Sequence, residues 1–426
     1  MKFHWFHLMP YPALPQDFSQ KYPSVWVTPP AHLYEGKVMH KAYHEYLDEL
    51  EFAEKMGFDG ICVNEHHQNA YGTMPSPNIM AATLTRRTSR AALVVLGNSI
   101  ALYNPPIRVA EEFAMLDVLS GGRLVAGFPV GTSMDTNYCY GMTPATLRDR
   151  YYEAHDLIMR AWTEEEIFAF NGKYTQLRYV NIWPRPIQKP HPPVWIPGGG
   201  SIETWVWSAQ NDYVYCYLSY GGYRRAQAAV QGYWNAVDSL GKDRNPYRTG
   251  FLQLVAVAET DEQAEKDYAA HAHYFYDKCL HIGGGFQAPG YRTQATLERG
   301  FLDQFRDRLV AQVTPQQRAS NVTAPDLALE MENTWKERLE TGSIIAGSPA
   351  TVRERLEECI ESLNVGHLMV LMQWGDMPKE KVQKSTELFA REVMPYLKGK
   401  FSNWEDKWYP TGIPQEERAR PAPVGS

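Results

Sequence analysis

Eight short apolar segments, each separated from the next by a stretch of helical periodicity, constrain the fold of this chain more than any other feature. Most are continuous runs of branched and aromatic residues, which is typical of strands covered on both faces. Strands that alternate with helices form a parallel sheet. The segments cover residues 2–8, 58–63, 93–100, 123–131, 193–197, 213–218, 251–258 and 367–374. Eight such units close most simply into a barrel, so we predict an α/β fold of the (β/α)8 TIM-barrel type.

The sequence also marks where two of the intervening helices begin or end. Apolar residues from Tyr43 onward recur at three- and four-residue steps, and Gly57 then provides a C-terminal stop. Later, Ser348 supplies an N-cap and Pro349 a first-turn proline. We expect this second helix to be closed by Gly366, just before the eighth strand.

The chain has 426 residues, whereas a plain barrel needs about 250. Two segments account for much of the excess: residues 9–39, after the first strand, and residues 278–341, after the seventh strand and its helix. We expect both to be long insertions at the C-terminal face of the barrel, where they act as lids or binding loops. The predicted organisation is one barrel domain over residues 1–400 and a C-terminal tail over 401–426, mobile from Pro410 onward.

Composition excludes several classes of partner. The net charge is −7 and the pI is about 6.0, with no basic patch, so we expect no nucleic acid. No stretch reaches the roughly 18 apolar residues of a membrane helix, and the first residues lack the features of a secretory signal. The five cysteines are spread widely, and Cys62 and Cys216 lie inside predicted strands. A cytoplasmic enzyme is therefore expected.

Two histidines follow the second predicted strand directly, at the end where barrel enzymes carry their catalytic residues. A neutral imidazole at His66 or His67 can act as a general base or a hydrogen-bond donor. The alternative is that one ring packs structurally at the rim. The sequence does not determine which ring faces inward, although we prefer His66, and we expect Glu65 to hold an imidazole or a backbone amide.

A glycine run ends the fifth predicted strand and opens a helix. Free N–H groups at Gly199 and Gly200, with the hydroxyls of Ser201 and Thr204, can bind a phosphate. The alternative is a tight strand-to-helix turn. The run is not a dinucleotide fingerprint, because its glycines are consecutive and no acidic partner follows about 20 residues later. Ser201 also lacks the glycine two residues later that a hydrolase nucleophile elbow uses.

One further cluster has the residue types of a zinc site: His271, His273, Cys279 and His281. Residues two apart on a helix point about 200° away from each other, so the first two histidines do not converge. We therefore predict no metal.

Five segments, taken in order, resemble the bacterial luciferase-like flavin monooxygenases from residue 2 to about residue 397: residues 57–67, 106–112, 116–123, 192–201 and 347–349. The resemblance implies an enzyme that binds reduced FMN (FMNH2), reacts it with O2 to give a C4a-(hydro)peroxyflavin, and inserts one oxygen atom into a small organic substrate. Because no dinucleotide fingerprint is present, it also implies a separate NAD(P)H:flavin reductase as partner. Many relatives form dimers, so we expect a homodimer.

The resemblance also assigns residue roles. His66 or His67 resembles the histidine beside the flavin, and the region of Asn98 lines the flavin ring in the family, sometimes across a non-proline cis peptide. Tyr138 is the implied flavin contact after the fourth strand. The family often places a phosphate-binding arginine there, but this chain has proline, valine, glycine and threonine at 129–132. The phosphate is then left to Ser201 and the amides of Gly199 and Gly200, with Thr132, Asn137 or Tyr138 as further candidates, or Arg148 or Arg150 replaces the missing charge.

Three functional classes remain open: an FMNH2-dependent monooxygenase, an F420-dependent dehydrogenase of the same fold, and a non-catalytic flavin-binding protein. The long aromatic mouth loops argue against the third. We predict Tyr11, Trp26 and Trp374 as substrate contacts, because aromatic rings at the mouth can stack on a flat molecule. A cyclic or heteroaromatic substrate is the resulting hypothesis, and the reaction type stays open.

Overall fold

The computed structural model describes residues 1–218, 220–282, 290–298 and 335–419. Its strands are β1 (Lys2–Phe6), β2 (Gly60–Val63), β3 (Ala92–Val95), β4 (Leu124–Gly127), β5 (Phe168–Asn171), β6 (Gln176–Val180), β7 (Val194–Gly198), β8 (Val214–Tyr217), β9 (Thr249–Val257), β10 (Ile344–Gly347) and β11 (His367–Leu371). Its α-helices are α1 (Phe18–Lys21), α2 (Gly36–Lys55), α3 (Pro77–Arg87), α4 (Ile107–Ser120), α5 (Pro144–Thr163), α6 (Ile202–Gln210), α7 (Tyr223–Ser239), α8 (Asp261–Tyr274), α9 (Trp335–Glu340), α10 (Pro349–Leu363), α11 (Lys379–Leu388) and α12 (Met394–Leu397).

Eight of these strands form one closed parallel barrel. They pair in the order β1, β2, β3, β4, β7, β8, β9 and β11, and β11 pairs with β1 to close the ring. Trp5, for example, lies opposite Ile61 on one side and Val370 on the other. All eight predicted strands are present, so the predicted (β/α)8 fold is confirmed.

The continuous apolar runs are explained by burial on both faces of the strands. All nine residues of β9 are buried, as are all residues of β2, β3, β4 and β11. One face of each strand fills the barrel interior, and the surrounding helices cover the other. Alternation between polar and apolar residues is therefore absent from these strands.

The helix signals in the sequence mark real boundaries. Gly57 has a φ of 93° and follows α2, as the predicted stop requires. Ser348 caps α10, since its hydroxyl accepts a hydrogen bond from the N–H of Thr351. The end of α10 differs from prediction: Asn364, at a φ of 51°, terminates the helix two residues before Gly366. Asparagine tolerates this left-handed conformation better than most residues do, so the glycine was not needed.

Two elements have no counterpart in the prediction. Strand β10 has only four residues and pairs with the carboxyl half of β9, so it adds to the barrel wall without belonging to the ring of eight. Strands β5 and β6 form an antiparallel hairpin whose residues are mostly exposed or half-buried. Neither segment carries the long apolar run by which the barrel strands are recognised.

The chain after α12 packs across the amino-terminal end of the barrel as far as residue 419. Mobility from Pro410 onward stays a prediction, and residues 420–426 lie outside the described residues. Trp408 is 5% exposed, and its carbonyl accepts a hydrogen bond of 3.1 Å from the indole N–H of Trp195. Beyond Pro410, the N–H of Ile413 donates to the carbonyl of Gly121. Isolated aromatic residues and backbone contacts hold this segment in place, so its sequence shows no helical or strand periodicity from which the packing could be predicted.

Residues 9–34 of the first insertion lie at the carboxyl-end face of the barrel. They are tied to the start of the second insertion, where the N–H of Val25 donates to the carbonyl of His281 at 2.7 Å. Residues 283–289 and 299–334 of the second insertion, including its glycine run at 283–285, lie outside the described residues. Within the described residues, no helix is long and apolar enough to cross a membrane.

Candidate active site at the carboxyl end of the barrel

A buried carboxylate holds the first of the two histidines. His66 follows β2, and Asp135 lies in a π-helix, Met134–Cys139, that follows β4. Their side chains are 15% and 4% exposed, and Nδ1 of His66 lies 3.1 Å from Oδ2 of Asp135. Because β2 and β4 are separated in the barrel by β3 alone, their carboxyl-end loops meet at this point.

Asp135 connects three segments of the chain. Its Oδ1 accepts from the indole N–H of Trp26 and from the N–H of His67, each at 2.9 Å. Its Oδ2 accepts from the hydroxyl of Thr132 at 3.0 Å as well as facing His66. Burial disfavours the charged carboxylate, but the hydrogen bond and charge interaction with His66, and then the Trp26 N–H, hold the pKa of Asp135 below its ordinary value.

This arrangement fixes the tautomer of His66. An ionised carboxylate only accepts hydrogen bonds, so Nδ1 of His66 must carry the proton. In the neutral ring, Nε2 then has a free lone pair, and no hydrogen bond joins it to a described residue. His66 is therefore oriented on one side and available for a ligand on the other.

The second histidine is held at both ring nitrogens. Nε2 of His67 lies 3.0 Å from Glu65, and Nδ1 lies 3.3 Å from the hydroxyl of Tyr140. Glu65 also accepts from the amide of Asn98 at 3.0 Å and from the hydroxyl of Tyr103 at 2.7 Å. Glu65 thus holds an imidazole, as expected, and His67 belongs to a buried network that supports the rim.

Asn98 is fully buried within the same network. Its amide nitrogen donates to Glu65, and its amide oxygen accepts from Asn78 at 2.9 Å. A direct flavin contact from Asn98 remains a prediction, and this saturation of its side chain favours a supporting role. The expected non-proline cis peptide in this region is present, between Leu96 and Gly97.

An aromatic wall stands beside His66. The rings of Trp26 and Tyr71 are stacked, with centroids 4.1 Å apart and planes 13° apart. Each meets His66 edge-on at 4.8 Å. The hydroxyl of Tyr71 is 2.5 Å from that of Tyr220, which follows β8, so the wall extends across the mouth of the barrel. Gly72 packs under His66, where a Cβ would come within 2.9 Å of the imidazole.

The glycine run is followed by α6, as predicted, and the side chain of Arg148 contacts the start of this helix. Nη2 of Arg148, on α5, donates to the Ser201 hydroxyl at 2.7 Å and reaches Oγ1 of Thr204 at 3.5 Å. No side chain caps the amino terminus of α6, and a Cβ at Gly199 or Gly200 would meet nothing within 4 Å. The Ser201 hydroxyl also donates at 2.7 Å to the carboxylate of Glu203, two residues further along the chain. Exposed backbone, two hydroxyls and a guanidinium therefore converge at the start of α6, together with the carboxylate of Glu203.

The remaining predicted site residues divide between surface and core. Tyr138 is 48% exposed at the rim. Tyr11 is 3% exposed, and its hydroxyl bridges the carbonyl of Leu33 and the N–H of Glu35 within the first insertion. Trp374 is fully buried in the core. Substrate contact by Tyr11 and Trp374 remains a prediction. The hydroxyl of Tyr11 is occupied by its own loop and Trp374 packs in the core, which favours a framework role for both.

Sequence reasoning missed Asp135, Tyr71 and Tyr220. Asp135 lies in a polar segment without an apolar stripe, and 69 residues separate it from His66. Only the closure of the barrel brings them together, so no local pattern marks the pair. For the zinc alternative, no group of three metal-binding side chains occurs among the described residues.

The sequence matches a known protein family and several of its characterised members. The family model described as luciferase-like monooxygenase matches residues 22–366. The 4-hydroxyprotoasukamycin monooxygenase of Streptomyces nodosus subsp. asukaensis is 26% identical over 373 residues, which cover 83% of this chain and 86% of that protein.

Solved structures share the fold at lower identity. The oxygenating constituent of 3,6-diketocamphane monooxygenase from Pseudomonas putida, a type II Baeyer-Villiger monooxygenase in complex with FMN, has a TM-score of 0.64 at 17% identity, covering 93% of this chain and 98% of that one. An F420-dependent secondary alcohol dehydrogenase has a TM-score of 0.60 at 15% identity, covering 92% and 98%. At these identities the two structures support the fold alone.

Proposed function

The chain belongs to the luciferase-like monooxygenase family, and we propose that it is the oxygenase of a two-component system, using FMNH2 and O2 to oxygenate a small, cyclic organic substrate. One observation carries this proposal: His66 is oriented by the buried Asp135, has an unoccupied Nε2 among the described residues, and stands beside the wall of Trp26 and Tyr71. A poised base next to stacked aromatic rings at the barrel mouth suits chemistry on a flat ligand.

The start of α6 fits the phosphate of FMN. A phosphate offers several acceptor oxygens and needs donors from different directions. Arg148 brings positive charge, Ser201 and Thr204 bring hydroxyls, and the uncapped helix brings N–H groups beside the open Gly199 and Gly200. In this proposal Arg148 takes the place of the arginine that is missing after β4.

When bound, reduced FMN supplies the two electrons that let one atom of O2 enter the substrate while the other leaves as water. The protein provides position and proton control. Nε2 of His66 accepts or returns a proton at the reacting centre, and Asp135 keeps the ring in the required tautomer. The buried stack of Trp26 on Tyr71 keeps water away from one side of that imidazole.

Two partners follow from the proposal. The oxygenase needs FMNH2 from a separate NAD(P)H:flavin reductase, because the chain carries no dinucleotide fingerprint of its own. A homodimer is proposed by analogy with the family, and size measurement in solution tests it.

The first experiment is anaerobic titration of the protein with photoreduced FMN, followed by rapid mixing with oxygenated buffer and spectra over time. The proposal expects tight binding and a transient absorbance that belongs neither to reduced nor to oxidised FMN. Simple reoxidation without a transient species would point to a non-catalytic flavin-binding protein. Binding of F420 in preference to FMNH2, with hydride transfer from an alcohol, would overturn the monooxygenase in favour of the dehydrogenase.

A further inference from the structure

One arginine outside the candidate active site is buried with no carboxylate in ion-pair contact among the described residues. Arg338, on α9, is 4% exposed, and its Nε has no hydrogen-bond partner in the described part of the chain. Its guanidinium lies over the ring of Tyr276, 4.8 Å from the centroid. Among the described residues no carboxylate is within ion-pair distance of it, although Glu337 and Asp277 act on its charge from farther away. Arginine stays charged in proteins, so burial without a counter-ion is costly unless a ligand supplies the negative charge.

Other arginines nearby show the normal arrangement. Arg224, at the start of α7, is 41% exposed and pairs with Glu358 at 3.2 Å while it also donates to the carbonyl of Glu340. Arg355 pairs with the same carboxylate. The exposed cation pairs with a carboxylate, whereas the buried Arg338 does not. This is the opposite of what a purely structural arrangement favours.

Contacts link Arg338 to the aromatic wall. The hydroxyl of Tyr276 donates to the carbonyl of Tyr220 at 2.8 Å, and the hydroxyl of Tyr220 is bonded to that of Tyr71. Tyr71 in turn stacks on Trp26 beside the candidate base. Arg338 therefore stands at one end of a continuous row of aromatic residues, and the histidine stands at the other.

On the basis of the proposed function, we propose that Arg338 binds an anionic group of the substrate, and that the substrate is an aromatic or alicyclic carboxylate. The planar guanidinium can meet a carboxylate with two parallel hydrogen bonds. The ring of the same molecule would then pack near Tyr276, at the end of the aromatic row that leads to His66. A neutral ring of the same size would leave the buried cation unpaired and would bind more weakly.

Calorimetry with paired ligands tests this without requiring turnover. Benzoate and cyclohexanecarboxylate are titrated into the full chain, each beside its neutral amide of equal shape. We expect the wild-type protein to prefer each acid over its amide by about 10-fold to 100-fold, the value of a charge-assisted pair. Arg338→Met should remove the preference, and Arg338→Lys should keep part of it. Equal binding of acid and amide by the wild type would overturn the proposal.

Arg224→Met is the matched control, because it removes an exposed, paired arginine and should leave the preference intact. Loss of the preference in this variant would show a general effect of charge and would also overturn the proposal. FMN affinity is measured in every variant. If Arg338→Met weakens FMN and spares the acid preference, Arg338 serves the flavin instead. If FMNH2 fails to bind the wild type while the acid preference depends on Arg338, the proposed function fails and the anion site stands.

Discussion

Replacing Asp135 with asparagine isolates the role of one negative charge in the candidate site. The amide oxygen can still accept from Trp26 Nε1 and His67 N–H, the two donors that Oδ1 holds at 2.9 Å. The amide nitrogen then faces Nδ1 of His66, where Oδ2 stood at 3.1 Å. A donor cannot face a donor, so the imidazole must carry its proton on Nε2 instead. The substitution is almost isosteric, but it converts Nε2 of His66 from a free hydrogen-bond acceptor into a donor.

The expected effects on stability and on rate differ in size. Exchanging charge-assisted hydrogen bonds for neutral ones should lower the free energy of unfolding by about 1–2 kcal/mol. Loss of a correctly protonated general base should lower the rate of the chemical step by about 10²-fold to 10⁴-fold. Asp135→Ala would instead leave three or more buried donors unpaired, at about 1–3 kcal/mol each, and should damage the fold itself.

The assay combines denaturant unfolding with single-turnover oxygenation of a substrate found in the screen, across a range of pH. Asp135→Asn should fold, bind FMN normally and lose the chemical step. Asp238→Asn is the control for removing a carboxylate, because Asp238 forms an exposed ion pair with Arg244. It should change neither the free energy of unfolding nor the rate of oxygenation appreciably. A folded Asp135→Asn protein with wild-type turnover and an unchanged pH profile would refute the role of the Asp135–His66 pair.

Four further predictions concern binding, packing and pH. Arg148→Met should weaken FMN binding by about 10-fold or more and leave riboflavin binding unchanged, because riboflavin lacks the phosphate; equal losses by fluorescence titration would contradict this. Trp26→Phe keeps the ring stack but loses the indole N–H, so KM for the substrate should rise while FMN affinity stays constant. Trp408→Ala should lower the free energy of unfolding by about 3–5 kcal/mol in denaturant melts without changing FMN affinity. Burial, with a smaller effect of a neighbouring histidine, lowers the pKa of His155 to about 4 from an ordinary 6.5. The unfolded chain then binds more protons than the folded one between these values, so stability should fall by about 3 kcal/mol as pH drops from 6.5 to 4, and His155→Gln should lack this component.

The barrel could be predicted because its strands carry their own signal. A strand such as Ala92–Val95 is buried on both faces, and nothing but a continuous apolar run satisfies that environment. Strand β10 could not be predicted in the same way, because it has only four residues and forms through its pairing with the distant strand β9. The packed segment around Trp408 was missed for a related reason, because long-range contacts hold it and local periodicity does not.

The site was predictable only where a side chain follows a strand end directly. His66 and His67 could be placed at the rim because β2 ends three residues earlier. The sequence could not show that the two histidines have different environments, because their partners depend on how the loops meet. His66 faces Asp135, whereas His67 faces Glu65 and Tyr140. For the same reason an aromatic residue near the mouth, such as Trp374, can belong to the core.

The two arginines of the proposed site differ in ways that suit different anions. Arg148 lies among hydroxyls and at the start of an uncapped helix, so a ligand there meets donors from several directions, as the oxygens of a phosphate require. The guanidinium of Arg338 lies 4.8 Å from the ring centroid of Tyr276, and its Nε has no hydrogen-bond partner among the described residues, so an N–H edge is left that matches a carboxylate. With His66 beside the aromatic row that leads to Arg338, the proposed arrangement directs flavin and substrate to separate cations. A substrate that carries a carboxylate then meets a cation of its own and does not compete with the flavin phosphate for Arg148.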